Sequence, residues 1–110
     1  MERFIKGDVV IFKFPFSDSP ISKKRPSLVV ATPRGYDIIL CQITGQPRPD
    51  TYLTELKISD FASGKINRNS FIRPSILFTI NLSRIEYKAG HLKQSKIKEV
   101  EKKLCEIFTR

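Results

Sequence analysis

A chain of 110 residues, 40% of them hydrophobic, has the material for one compact domain around one core, and residues 1–110 read as that single domain. Twenty Lys and Arg against eleven Asp and Glu leave a net charge of +9, which on so small a surface calls for an anionic partner: nucleic acid, an acidic protein segment or a membrane surface. The longest apolar runs are strand-sized and MERFIKGD lacks the apolar centre of a secretory signal, so no bilayer-spanning helix is expected and the reading is cytoplasmic, with no membrane partner.

Gly7 and Asp8 punctuate the start of Val9-Val10-Ile11-Phe12-Lys13-Phe14, a run of β-formers that is apolar on both alternating faces except at Lys13. Such a run suits a strand inside a closed or strongly curved sheet better than one on a wetted face. Pro15 ends it by removing a ladder donor, and Ser17-Asp18-Ser19-Pro20-Ile21-Ser22 is loop chemistry leading into three cations, Lys23-Lys24-Arg25. After Pro26 come Leu28-Val29-Val30-Ala31, a Thr32-Pro33-Arg34-Gly35 turn, and Ile38-Ile39-Leu40-Cys41, which ends in Gln42, Thr44 and Gln46. Two aliphatic runs about a Pro/Gly turn read as adjacent antiparallel strands, and that pairing brings Arg25 near Thr44 at one rim of the sheet.

Beyond the loop Pro47-Arg48-Pro49-Asp50, residues 51–58 alternate in part and read as a half-exposed strand, and residues 61–65 read as a turn. Residues 70–80 form an apolar strand interrupted by Arg73-Pro74, for which a bulge or a sheet edge is expected. Residues 84–88 are a shorter strand closed by Ala89-Gly90. The period then changes: Ile97, Val100, Leu104, Ile107 and Phe108 recur at helical spacing, so residues 95–108 read as an amphipathic helix with Ser95 as N-cap. Its lysines, Lys96, Lys98, Lys102 and Lys103, alternate with glutamates and read as a solvated face. The expected fold is mainly β, a small sheet domain with one C-terminal helix.

Several chemistries lack their residues. His91, the only histidine, has no partner nearby in sequence and reads as a surface or interface residue. No HExxH, DxD or Cys/His spacing marks a metal site, and no Walker A or GxGxxG loop marks a nucleotide cofactor, so no cofactor is expected. Cys41 and Cys105 stand far apart without a CxxC and read as two buried thiols of a reducing cytosol. What remains is chemistry that cations and hydroxyls can perform. RNA cleavage is such a case, because the 2′-OH beside each phosphodiester is a built-in nucleophile, leaving the protein to align it and stabilise the developing charge.

Gly7-Asp8-Val9-Val10, Phe14-Pro15-Phe16, Arg25-Pro26 before Leu28-Val29-Val30, Gln42-Ile43-Thr44-Gly45-Gln46, Phe71-Ile72-Arg73-Pro74 and Leu77-Phe78-Thr79-Ile80 resemble, in order and spacing, the MazF/PemK family of toxin endoribonucleases. The resemblance spans nearly the whole chain. It implies an SH3-like barrel of the PemK kind, a homodimer, a cognate antitoxin with a flexible acidic tail, and metal-independent cleavage of single-stranded RNA to 2′,3′-cyclic phosphate and 5′-OH ends. On that reading Arg25 stabilises the phosphorane oxygens and Thr44 holds the scissile phosphate. Lys24, Gln46, Phe16, Ser70 and Arg73 are the further candidates for substrate contact, Phe16 by stacking on a base. Two other readings stand beside it: a CcdB-like toxin that binds gyrase and cleaves nothing, which leaves Arg25 and Thr44 without a role, and a non-catalytic nucleic-acid-binding SH3-like module. The short loop at residues 17–24 and Pro47 to Pro49 depart from better-known members, so their cleavage sequences do not transfer.

Overall fold

The computed structural model describes residues 3–13 and 24–110. Seven strands run β1 (Asp8–Lys13), β2 (Lys24–Ala31), β3 (Asp37–Thr44), β4 (Thr54–Leu56), β5 (Phe61–Gly64), β6 (Ser70–Asn81) and β7 (Ile85–Leu92), followed by helix α1 (Gln94–Phe108). They form one antiparallel sheet in the order β4-β6-β3-β2-β1-β7-β5. Laid flat, its two edge strands would stand about 29 Å apart at ~4.8 Å per strand. Yet β4 and β5 are joined by residues 57–60 alone, a link that reaches at most about 18 Å. The sheet must therefore curl, and it forms a half-barrel of the SH3-like kind closed on one side by α1.

β1 lies at the centre between β2 and β7 and is buried on both faces. Val9 joins one core with Leu28, Cys41, Ile43, Leu56, Ile72, Ile97 and Val100. Val10 and Phe12 join a second core with Phe4, Val29, Ile38, Leu40 and Leu82. The apolar run on both alternating faces has this physical origin, each face filling a separate core.

The long strand β6 keeps its pairing with β3 around Arg73-Pro74 by bulging. Gln42 faces Arg73 and Cys41 faces Leu77, so residues 74–76 have no ladder partners, which accommodates the proline. Elsewhere the reading needs correction. Residues 51–58 hold only the three-residue strand β4, because the Asp50 side chain accepts a bond from the Tyr52 N–H (2.9 Å) and turns the chain there. Residues 61–65 are mostly strand, β5, paired to β7. Ala89-Gly90 does not close β7, which continues to Leu92. Gly90 is instead a point of close approach: a Cβ there would meet the Ser63 carbonyl oxygen at 2.5 Å and the Phe61 ring at 2.8 Å.

The helix begins one residue ahead of Ser95, with Lys93 as N-cap. Lys98 and Lys102 are exposed, but Lys96 and Lys103 are not a solvated face. Lys103 Nζ donates to Thr54 Oγ1 (2.7 Å) and to the Leu53 carbonyl (3.4 Å), and Lys96 Nζ to the Glu55 carbonyl (2.9 Å). These bonds fasten α1 to the edge strand β4 and the residue before it. Of the two thiols, Cys41 is buried and Cys105 exposed, and they are not joined. Burial pushes the Cys41 thiol up to about 12, against a smaller opposing effect of a backbone hydrogen bond.

Candidate functional site

The β2–β3 ladder pairs Ser27 with Gln42 and Leu28 with Cys41. Continued by two residues, that register sets Arg25 opposite Thr44, the convergence expected from the sequence. Both residues line one cleft of about 690 Å³ at the open mouth of the half-barrel. Its floor runs across four neighbouring strands, from Ile43 and Thr44 on β3 through Arg25 and Pro26 on β2 and Ile11 on β1 to Tyr87 and Lys88 on β7. Residues 65–69 complete the enclosure. They leave β5 beside β7, where the Lys65 N–H bonds the Ala89 carbonyl (3.2 Å), and cross to β6 beside β3.

Among the described residues five cations line this cleft: Lys24, Arg25, Lys65, Arg68 and Lys88. Of the described residues that line it, none is acidic. At the rim Lys24 Nζ lies 3.8 Å from Glu86 Oε2, a long and exposed pair of small energetic weight. Thr44 Oγ1 accepts a bond from the Gln46 N–H (3.3 Å), which leaves the hydroxyl proton available to donate to an anion. Ser70 is buried, and its Oγ donates to the Arg68 carbonyl (3.1 Å). The arrangement can bind a phosphate, withdraw charge from its oxygens and orient a neighbouring hydroxyl.

The other expected contacts distribute differently. Lys24 and Ser70 line the cleft with Arg25 and Thr44, whereas Gln46 is exposed beyond its lining. Arg73 is committed elsewhere: its Nε donates to Asp50 Oδ2 (3.1 Å) and its Nη1 to Gln42 Oε1 (3.4 Å). Ser75 Oγ adds a bond to the same Asp50 oxygen (3.2 Å). Burial alone would raise the Asp50 pKa. The Tyr52 N–H, Arg73 and Ser75 hydrogen bonds, with the Arg73 charge, outweigh it and hold the carboxyl below its ordinary value. Phe16 lies outside the described residues. His91 is not an isolated surface group, since its Nδ1 lies 2.8 Å from Oδ1 of the buried Asp8, whose Oδ2 accepts from the Ile5 N–H (2.9 Å). That pair ties β7 to β1, and neither residue lines the cleft.

Sequence reasoning missed Tyr87, Lys65, Lys88 and Arg68. Tyr87 is 52% exposed and is an aromatic ring on the wall formed by β7. Its polar neighbours in sequence gave it no periodic signature, so only the pairing with Ile11 brings it to the site.

No curated protein sequence shows a significant match. Among solved structures, an endoribonuclease in complex with its cognate antitoxin from Mycobacterial species aligns with a TM-score of 0.76 at 12% identity, over 96% of this chain and 95% of that one. The Mycobacterium tuberculosis toxin MazF-mt6 aligns with a TM-score of 0.71 at 17% identity, over 92% of this chain and 95% of that one. A MazE-MazF structure from Deinococcus radiodurans gives 0.72 at 16%, over 94% of each chain. At such identities these likenesses establish the fold. The sequence itself matches, over residues 5–108, the family described as PemK-like, MazF-like toxin of type II toxin-antitoxin system, and the chain belongs to that family.

Proposed function

We propose that this toxin is a metal-independent endoribonuclease that cleaves single-stranded RNA by internal transesterification. The observation that carries the reading is the cleft: Arg25 and Thr44 at its β2–β3 wall, three further cations around them from β5 to β7, and no acidic residue among the described residues of its lining. The 2′ oxygen attacks the adjacent phosphorus, the bond from phosphorus to the 5′ oxygen breaks, and a 2′,3′-cyclic phosphate and a 5′-OH result. Overall, the 2′-OH loses a proton and the 5′ oxygen gains one, so no co-reactant is consumed.

Arg25 withdraws charge from the non-bridging oxygens as the phosphorane forms, and the Thr44 hydroxyl donates a hydrogen bond to the same phosphate. A guanidinium stays protonated at neutral pH, so the role of Arg25 is electrostatic. Lys24 extends the anion-binding surface, and Ser70 anchors the loop that carries Arg68. At about 690 Å³ the cleft has the size of a small-ligand site, for which ~300–1,000 Å³ is usual. It suits a segment of about one or two nucleotides. The antitoxin-bound endoribonuclease and the MazE-MazF structure among the similar folds support a cognate antitoxin for this chain. An acidic tail of that antitoxin would meet the same cations as RNA does. The family resemblance also leads us to propose a homodimer.

A 2′-deoxy substitution at the cleaved nucleotide tests the reaction. Cleavage in EDTA should vanish at that position while binding remains, because the substitution removes only the nucleophile. Persisting cleavage there would refute internal transesterification. Retention of intact all-ribose RNA without any product would indicate a binding module instead.

A further inference from the structure

Gly45 follows Thr44 directly, and its backbone has no positive φ. Its conformation therefore places no demand for glycine. A Cβ at this position would instead meet the Arg68 guanidinium and turn that flexible arm aside. The Arg68 guanidinium thus lies close beside the residue that follows Thr44, brought there by residues 65–69. The Ser70 hydroxyl holds the Arg68 carbonyl and anchors that loop at the start of β6. Among the described residues the Arg68 guanidinium has neither an acidic partner nor a hydrogen-bond acceptor, although it lines the cleft. A planar fork of donors, left without an acceptor and seated beside a phosphate-binding hydroxyl, fits the geometry of two phosphate oxygens.

We propose that Arg68 is a second catalytic guanidinium, which binds the non-bridging oxygens of the scissile phosphate, and that Gly45 is the positioning residue that admits it. This rests on the nuclease reading above. The two guanidinium groups approach the phosphate from different elements, Arg25 from β2 and Arg68 from the loop before β6, so the charge that develops on the phosphorane is shared between them. In the bond-making step Arg68 neither gives nor takes a proton.

The test is single-turnover cleavage of an RNA in EDTA by wild type, Arg68→Ala, Arg68→Lys, Gly45→Ala and the double variant. It is paired with binding of the uncleavable 2′-deoxy analogue and with circular dichroism of each protein. Removing a donor aimed at transition-state charge costs about 10²–10³-fold in rate. Arg68→Ala should therefore slow cleavage about 100-fold, with analogue binding weakened less, and Arg68→Lys should restore part of the rate. Gly45→Ala should also slow cleavage in the wild-type background but change nothing further in Arg68→Ala, since it acts only through that side chain. Cleavage by a folded Arg68→Ala within threefold of wild type would overturn the proposal, and so would an equal Gly45→Ala effect in both backgrounds. A wild-type protein that leaves RNA intact would refute the nuclease reading, and this proposal with it.

Discussion

Replacing Asp50 by alanine removes the acceptor that Tyr52, Arg73 and Ser75 share, and leaves the Arg73 guanidinium, 24% exposed, with only its long bond to Gln42. Hydrogen bonds to charged groups contribute ~1.5–3 kcal/mol each but do not add when they share one atom. The expected loss is about 2–4 kcal/mol at neutral pH. For a domain of this length, an unfolding entropy of ~2.1 cal/mol/K per residue converts that to a fall in Tm of about 9–17 °C. The pH dependence has a definite sign. The Asp50 pKa is lower in the folded protein, so its stabilisation is fully present above the unfolded carboxylate value of ~3.9. It is lost as pH falls through the lower, folded value. Urea unfolding of wild type and Asp50→Ala at a series of pH values is the assay. The two curves should stand apart at neutral pH and converge as the solution becomes strongly acidic. A gap below 0.5 kcal/mol at neutral pH, or one that stays constant into acid, would refute the reasoning (thresholds on the scale of ordinary surface substitutions, ~0.5 kcal/mol).

Lys103→Met should destabilise the protein by about 1–2 kcal/mol in urea unfolding, because it strips the buried Thr54 hydroxyl of its charged donor. A stability equal to wild type would show that the helix docks without that bond. A thiol-reactive probe should label Cys105 alone in the native protein and both cysteines in denaturant, since Cys41 is buried with its pKa raised to about 12; fast native labelling at two sites would contradict this. Tyr87→Ala should weaken binding of the 2′-deoxy RNA analogue about tenfold or more, with Tyr87→Phe near wild type, if the exposed ring stacks on a base. Equal loss in both variants would assign the effect to the hydroxyl. Binding should weaken with salt at a log–log slope of about −0.7 per neutralised phosphate, about −3.5 if all five cleft cations engage. A slope near zero would exclude phosphate contacts as the main source of affinity.

β1, β2, β3 and α1 were legible in the sequence because each carries an unbroken local signal: β-branched runs bounded by Pro and Gly, or apolar residues at helical spacing. The Arg25–Thr44 convergence followed from one hairpin and needed no long-range knowledge. β5 was not legible. Phe61-Ala62-Ser63-Gly64 is poor in strand formers, and its conformation comes from pairing with β7, where Gly90 allows a close approach. The same holds for Asp8 and His91, 83 positions apart, and for Lys96 and Lys103, whose acceptors lie on β4. Arg68 sits in Asn67-Arg68-Asn69, where nothing local separates it from a solvated loop cation. The available signal was Gly45, a glycine directly after a strand-end hydroxyl, which indicates that something approaches closely there.

The central claim is that Arg25 and Thr44 cleave RNA through its own 2′-OH. Purified wild type, Arg25→Ala and Thr44→Ala should be incubated with one mixed-sequence RNA in EDTA, and the ends of any products mapped. The account predicts discrete cuts bearing 2′,3′-cyclic phosphate and 5′-OH ends with wild type, and their loss by about 100-fold or more in either variant. Cuts that persist at full rate in both variants, or products with 3′-OH and 5′-phosphate ends, would contradict it.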